Sequence, residues 1–224
     1  MERAERLMDY AINGRNGCST DEIVDLFLRG YPIENLGRLF DENNDISTQF
    51  FGTEVCYELG KTAVLYMDRV AELMNQDERL KTDYGLIWLA DYADETDELA
   101  DWVILSSLEN KSIYFTVTTI SILSGINFGQ LRGAKAYLLR NIPNSPHIAG
   151  IDFYLNYHND TQHILNMLDD KNVLMQKYAV ALASHFFTKN TQIRDKSLSL
   201  TDPAIKIFVQ REIQQIENLL RIFR

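Results

Sequence analysis

A leucine, followed by a short polar turn and then by a segment with periodic apolar residues, recurs along this 224-residue chain. The copies begin at Leu39, Leu73, Leu108 and Leu168, and a weaker copy begins at Ile142, giving intervals of 34, 35, 34 and 26 residues. The apolar residues after each turn keep the three-to-four-residue spacing of a helix face. Each unit is therefore predicted to be a helix that ends at the leucine, a turn and a longer helix.

Helix pairs of this length cannot bury their apolar faces alone, so neighbouring pairs must stack to form a continuous core. The sequence predicts an all-α fold, an α-α superhelix of five or six stacked helix hairpins in one domain over residues 1–224. Within it, residues 1–30 are predicted to form N-terminal cap helices, 31–188 the repeats and 189–224 a C-terminal capping helix. Only four prolines and eleven glycines are present, which favours helices over a turn-rich β fold.

Several residues have the properties of helix starts and stops. Helices are predicted over residues 2–13 and 20–29, the second beginning at Ser19 or Thr20 with two acids in its first turn. Two glycines follow apolar runs and are predicted to end helices, namely Gly60 and Gly125.

The C-terminal segment carries the strongest helix pattern, with Asp202 as the predicted N-cap and Pro203 at the first helical position. Its apolar stripe consists of Ile205, Phe208, Val209, Ile213, Ile216, Leu219, Leu220 and Phe223. The stripe is predicted to seal the last repeat. The alternative is a helix that binds a partner or a second copy.

The fifth unit, LDDKNVLMQKYAVALA, resembles the second half of a HEAT repeat. The resemblance rests on a D-x-N-type turn, an apolar residue, a basic residue and small packing residues, at Val173, Lys177, Ala179, Ala181 and Ala183. The register over roughly residues 31–188 is similar to the bacterial HEAT-like repeat family, with a short last interval and two turn prolines, Pro143 and Pro146, as departures. Small members of that family resemble immunity proteins that block secreted toxins, often nucleases.

Negative charge is concentrated in one part of the chain. The net charge is −10, yet residues 31–102 hold 17 acids and 5 bases, whereas residues 103–224 hold 9 acids and 13 bases. The densest run is LADYADETDELADW, residues 89–102. This balance argues against sequence-independent nucleic-acid binding, which needs Lys and Arg to neutralise phosphates. It favours a basic protein as the partner.

The residues predicted to contact that partner are the acids of two successive long helices and of the run, with two nearby aromatics as anchors. They are Glu54, Glu58, Asp83, Tyr84, Trp88, Asp91, Asp94, Glu95, Asp97, Glu98 and Asp101. Two alternatives remain open. In the first, the run is a solvated turn whose acids lie near a helix N-terminus. In the second, Trp88 and Trp102 belong to the core and do not contact a partner.

No catalytic motif is found in the sequence, so an enzyme, a catalytic residue and a cofactor are not predicted. His158, Asp160 and His163 lie within six residues, but a five-residue spacing does not put both histidines on one helix face, so no metal site is predicted. His147 and His185 are isolated and are interpreted as structural or surface residues.

The two cysteines, Cys18 and Cys56, match no disulfide or zinc spacing, and Cys56 is predicted to be a small apolar core residue. A reducing, cytoplasmic location is expected, because the sequence has neither a secretory signal nor an apolar run of membrane-spanning length.

The sequence thus predicts a non-enzymatic protein-binding module, monomeric alone and heterodimeric with its partner, that touches neither nucleic acid nor membrane directly. The resemblance implies an immunity protein that neutralises a basic secreted toxin, a nuclease, whose phosphate-attracting cleft would accept carboxylates. The alternatives are a HEAT-like scaffold or adaptor and a HEAT-like enzyme such as a chromophore lyase.

Overall fold

The computed structural model describes residues 2–13 and 18–222, and these form α-helices and short 3-10 segments without any β-strand. Helices pack against their neighbours as hairpins, which confirms the predicted all-α class. The chain divides into two compact units, Met1–Ala93 and Asp94–Arg224, which are called unit 1 and unit 2 below. The single-domain organisation with its cap and repeat boundaries stays a prediction.

Unit 1 is arranged around one central helix. Its elements are α1 (Glu2–Ile12), α2 (Thr20–Leu28), a 3-10 segment (Ile33–Phe40), α3 (Ile46–Leu59), a second 3-10 segment (Gly60–Tyr66), α4 (Met67–Gln76), a third (Glu78–Leu80) and α5 (Asp83–Tyr92). Helix α3 packs against α2, α5 and the first two 3-10 segments. Val55 and Cys56 of α3 are fully buried in this core, as predicted for Cys56.

Local signals set the helix ends in unit 1. Ser19 caps α2, because its hydroxyl accepts from the Glu22 amide at 3.2 Å while the Glu22 carboxylate accepts from the Ser19 amide at 3.0 Å. Gly60 ends α3 with a φ of 57°, a left-handed conformation that glycine adopts without strain. Both predictions are confirmed.

Unit 2 contains the more regular hairpins. Its elements are α6 (Glu98–Ser106), a 3-10 segment (Ser107–Glu109), α7 (Ile113–Gly125), α8 (Phe128–Asn141), α9 (His147–Tyr157), α10 (Thr161–Leu168), α11 (Val173–Ala183), a 3-10 segment (Ser184–Phe186), α12 (Thr191–Ser199) and α13 (Pro203–Ile222). Helix α6 packs on α8, α9 on α11, and α10 on both α11 and α12. Helix α11 also contacts α7, and its alanines at 179, 181 and 183 are buried.

The last helix departs in part from its prediction. The Asp202 carboxylate accepts from the Ile205 amide at 3.0 Å, which confirms the N-cap, and α13 packs on α12 and back on α7. Its first turns bury Phe208 and Val209, but Leu219 and Leu220 are each 55% exposed. The stripe therefore packs on the unit as far as Ile216, and only its last described residues, Leu219 and Leu220, are exposed. The stripe's last residue, Phe223, lies outside the described residues.

In the part of the chain that the structure describes, no helix combines the length and apolar character that a bilayer span requires. The longest helix, α13, carries charged and amide residues along its whole length.

Candidate protein-binding site

The residues predicted to contact a partner fall in both units. Unit 1 holds Glu54, Glu58, Asp83, Tyr84, Trp88 and Asp91, and unit 2 holds Asp94, Glu95, Asp97, Glu98 and Asp101. Each group is therefore considered within its own unit.

Three of the predicted residues meet in a pocket of unit 1. Helix α3 places Glu54 and Glu58 one turn apart, and Tyr84 in the first turn of α5 lies opposite them. They line a pocket of about 150 Å³, which is called the acidic pocket below and is lined by Thr20, Asp21, Glu54, Tyr57, Glu58 and Tyr84. Since α3 packs against both α2 and α5, the tertiary fold brings together residues from three separate helices.

Two tyrosine rings form an aromatic wall of the acidic pocket. The ring centroids of Tyr57 and Tyr84 lie 5.0 Å apart, with the planes tilted by 51°. Tyr84 is 49% exposed, so its ring is accessible to a partner. Aromatic faces carry partial negative charge and attract cations. The pair thus adds to the attraction that the carboxylates exert on a positive group.

The carboxylates of the acidic pocket have no counterion among the described residues. Within the described chain, Asp21, Glu54 and Glu58 make neither an ion pair nor a side-chain hydrogen bond. By contrast, Arg38 engages Glu5 at 2.9 Å and Asp9 at 2.7 Å elsewhere in unit 1. Three acids around one small pocket repel each other, and a bound cation would relieve that repulsion.

Sequence reasoning missed Thr20 and Asp21. These residues were assigned only to the start of a helix, which the structure confirms, since α2 begins at Thr20. Their proximity to Glu54 depends on how α2 packs across α3, and the sequence pattern gives no signal for that contact.

The other residues of the unit 1 group do not line this pocket. Trp88 is 0% exposed, and its indole N–H donates to the Gly60 carbonyl at 3.0 Å. Its inclusion among partner contacts is wrong, because α5 turns this face toward the core, as the alternative interpretation held. Asp83 is half-buried at the start of α5, and Asp91 is exposed near its end.

In unit 2 part of the acidic run forms a hydrogen-bonded turn before α6. Asp97 precedes the first residue of α6, and its carboxylate accepts from the Asp94 amide at 2.9 Å. The Asp94 carboxylate accepts from the Thr96 hydroxyl at 2.6 Å and its amide at 2.7 Å, and these bonds hold the pKa of Asp94 below its usual range. These acids therefore have a structural role in the turn.

Two further acids of the run are engaged by bases of α8. The Glu95 carboxylate lies 3.5 Å from the Arg132 guanidinium. Arg140 donates from Nη1 to the Glu98 Oε1 at 3.1 Å. The charge of Glu95 and Glu98 is thus partly balanced within unit 2.

Asp101 does not lie on a surface at all. The residue is 0% exposed, and neither carboxylate oxygen has a hydrogen-bond partner among the described residues. It packs against Gly133 of α8, where a Cβ would lie 2.1 Å from its Oδ2. Burial, followed by the nearby charges of Asp97, Asp94 and Glu95, raises the pKa of Asp101 to about 8. Its predicted place in an accessible acidic surface is wrong, because its position on α6 faces α8.

Two of the histidines, His147 and His163, make polar contacts within unit 2. His147 is buried, with Nδ1 3.0 Å from the Tyr178 hydroxyl and Nε2 3.1 Å from the Glu109 carboxylate. Asp160 caps α10 and lies 2.8 Å from His163 Nδ1. Among the residues described, no group of three or more His, Cys, Asp or Glu side chains is arranged to hold a metal ion.

Comparisons of the chain with protein-family models, with curated proteins and with solved structures found no match. The function must therefore be argued from the residues of the acidic pocket. The pocket can accept a positively charged side chain, because carboxylates and aromatic faces would surround that side chain.

Proposed function

We propose that this protein is a non-enzymatic protein-binding module and that a cationic side chain of its partner docks in the acidic pocket. The observation that carries the proposal is the set of three carboxylates that have no counterion in the described chain, beside a tyrosine pair of which Tyr84 is exposed. The geometry favours a lysine or arginine because each has a positive head on a long stem that can enter a small pocket.

The energetics support an anchor of this kind. A cation over a tyrosine face gains about 0.5–2 kcal/mol, depending on how far it is desolvated. A charge-assisted hydrogen bond to a carboxylate adds about 1.5–3 kcal/mol. A cation that makes both contacts would act as a hot spot, and the surrounding acids would speed its encounter with the pocket.

We further propose that the partner is a basic secreted toxin domain, a nuclease, and that this chain is its HEAT-like immunity protein. The support is the resemblance of the repeat register to the HEAT-like family and the excess of acids over residues 31–102. A nuclease attracts phosphate with a basic cleft, and carboxylates can occupy that cleft in place of the substrate. In this role the protein acts in the cytoplasm as a monomer that forms a heterodimer with the toxin.

The test compares three forms of the protein as bait in an extract of the source cell. The first is the wild type, and the second is the pocket variant Asp21→Asn/Glu54→Gln/Glu58→Gln. The third is a matched control that removes the same charge at exposed acids elsewhere, Asp195→Asn/Glu34→Gln/Glu217→Gln. Each protein partner captured is then purified and its affinity for all three forms is measured.

The expected result is a basic partner that binds the wild type and the control equally and the pocket variant at least about tenfold more weakly. Equal affinity for the pocket variant would show that the acidic pocket is not the anchor. The finer proposal requires that the partner cleave nucleic acid when free and stop when the protein is added. A partner without that activity would refute toxin immunity while leaving the binding role intact.

A further inference from the structure

The buried carboxyl of Asp101 lies where the turn before α6 meets helix α8. This turn, residues 94–97, is called the acidic turn below. A Cβ on Gly133 of α8 would lie 2.1 Å from the Asp101 Oδ2 and 3.1 Å from the Glu95 carbonyl oxygen. The carboxyl and the acidic turn are thus packed against the same backbone position of α8, and a glycine at this position leaves room for both.

A second glycine of α8 extends this contact with the acidic turn. A Cβ on Gly129 would lie 3.5 Å from both the Cβ and the Oε2 of Glu95, which is ordinary van der Waals contact. Gly129 and Gly133 are four residues apart, so they lie on one face of the helix. The acidic turn therefore packs on a glycine face of α8, with the Asp101 carboxyl against the same face.

The protonation state of Asp101 decides whether this arrangement is favourable. A protonated carboxyl is neutral, and its O–H is a donor that can turn toward the Glu95 carbonyl. An ionised carboxylate has only acceptors, and neither of its oxygens has a donor among the described residues. Burial and then the charges of Asp97, Asp94 and Glu95 disfavour the ionised form and raise the pKa of Asp101.

The bases of α8 are engaged by acids other than Asp101. The pairs are Arg132 with Glu95 at 3.5 Å, Lys135 with Asp152 at 2.5 Å and Arg140 with Glu98 at 3.1 Å. The tyrosine of this helix, Tyr137, stacks on the Trp102 ring with centroids 6.4 Å apart. Although α8 is the main partner of α6, its positive groups therefore do not compensate the charge of an ionised Asp101.

The other elements that pack on α6 supply no compensating base either. They are the 3-10 segment Ser107–Glu109 and helix α7. Glu109 is an acid, and its carboxylate lies 3.1 Å from His147 Nε2. Helix α7 contains no Asp, Glu, Lys, Arg or His, and its tyrosine, Tyr114, is exposed. Among the described residues of these elements, an ionised Asp101 thus has acids around it and no unengaged base.

The acidic turn is the part of this contact that can move most easily. The ion pair that links it to α8, Glu95 with Arg132, has both side chains more than half exposed. Exposed pairs of this kind stabilise a structure only slightly. Helix α6 itself buries Val103 and Ile104 completely. Local opening takes place first where few buried contacts must break, and this condition is met in the turn rather than in the helix.

We propose that Asp101 is a proton-operated latch of unit 2. With its proton, Asp101 keeps the acidic turn packed on the glycine face of α8. When it ionises, the acidic turn separates from α8 while the helices of unit 2 stay folded. Separation brings Asp101 and Glu95 to the surface and frees Arg132, so the run presents its full negative charge only after this proton is lost. The latch does not depend on the function proposed for the acidic pocket.

The test is limited digestion of the full chain with a protease that cuts after glutamate, with the fragments identified by mass spectrometry. The bond after Glu95 lies in the acidic turn, and the bond after Glu217, in the exposed last part of α13, is the internal reference. Cleavage at Glu95 relative to Glu217 should rise about tenfold from pH 7 to pH 9, because the opening equilibrium follows the ionisation of Asp101. The helical circular dichroism signal should stay constant over this range.

One variant and one matched control make the result decisive. Asp101→Asn keeps the shape of the side chain and cannot ionise, so its cleavage ratio should be the same at pH 7 and pH 9. Asp91→Asn removes an exposed acid of α5 and should show the rise of the wild type.

Three outcomes would overturn the latch. The first is a constant cleavage ratio in the wild type, which decides the matter even if Asp101→Asn does not fold. The second is an equal rise in a folded Asp101→Asn, because another group would then control the acidic turn. The third is a rise accompanied by loss of the helical signal, because ionisation would then unfold the helices together with the turn.

Discussion

Asp101 is a buried carboxyl whose ionisation at high pH disfavours the folded state of unit 2, and replacing it with asparagine removes that ionisation. The Asp101 carboxyl is fully buried between α6 and α8 and has no hydrogen-bond partner in the described chain, so its ionised form has no compensation there. Asparagine has the same shape and no charge. The variant therefore separates the effect of ionisation from the effect of packing.

The magnitude follows from the pKa of Asp101, which is raised from its ordinary 3.8 to about 8 in the folded protein. Between these values the unfolded chain has released the proton and the folded chain has kept it. The stabilising contribution of Asp101 is therefore complete below about pH 3.8 and is lost as the pH rises through 8. One pH unit is worth about 1.4 kcal/mol, so the free energy of unfolding should fall by roughly 3–4 kcal/mol between pH 5 and pH 8 from this group alone.

Urea denaturation at several pH values measures the effect, with the helical circular dichroism signal as the readout. The difference in free energy of unfolding between Asp101→Asn and wild type should increase steadily from pH 5 to pH 8, in favour of the variant. Asp195→Asn, at an exposed acid of α12, is the control for the removal of one surface carboxylate. A pH-independent difference for Asp101→Asn would show that Asp101 is ionised in the folded protein, and the account of the α6–α8 contact would fail.

Three further measurements address other contacts of the two units. Gly133→Ala places a Cβ 2.1 Å from the carboxylate across the α6–α8 contact and should cost about 1–3 kcal/mol in urea denaturation, whereas Gly125→Ala has no atom within 4 Å and should cost less than about 0.5 kcal/mol. Burial lowers the pKa of His147 against the opposing effect of a neighbouring carboxylate, so wild-type stability should fall as the pH drops below 6.5, and a His147→Gln variant should lack that step in its pH profile. Trp88→Phe removes the 3.0 Å bond to the Gly60 carbonyl and should lower the thermal midpoint by an amount equivalent to about 1–2 kcal/mol, and an unchanged midpoint would contradict this role.

Features that depend on residues close together in the sequence could be predicted. Ser19 caps its own helix, Gly60 ends one, and Asp202 begins the last, because each acts on backbone groups a few residues away. The burial of the repeat leucines also follows from a local feature, the spacing of apolar residues along a helix. Leu108 and Leu168 illustrate this, since both are buried.

Features that depend on packing between distant segments could not be predicted in this way. Asp21 reaches the acidic pocket only because α2 lies across α3, and His147 finds Glu109 and Tyr178 38 and 31 residues away. Asp101 belongs to a run whose many acids predict an exposed segment. One face of α6 nevertheless packs on α8, and the sequence does not show which acid lies on that face. A one-dimensional pattern gives the period of a helix but not the rotation with which it packs.

The charge count of the sequence therefore differs from the charge that a partner meets. In the run, Asp101 keeps its proton at neutral pH, and Glu95 and Glu98 face arginines of α8. Asp94 and Asp97 accept hydrogen bonds within the turn before α6. Glu54 and its neighbours in the acidic pocket have no such partners in the described chain, although they are fewer. Because unbalanced carboxylates attract a cation more strongly than balanced ones, binding should depend on the pocket rather than on the run.

This difference can be measured with the purified basic partner. A Glu95→Gln/Glu98→Gln variant should bind it within about twofold of wild type, because the arginines that face these acids already screen them. The pocket variant Glu54→Gln/Glu58→Gln removes the same formal charge and should weaken binding at least about fivefold, more at low salt than at high salt. If the Glu95→Gln/Glu98→Gln variant loses more affinity than the pocket variant, the interface lies on the run in unit 2. The pair of Tyr57 and Tyr84 then has another role.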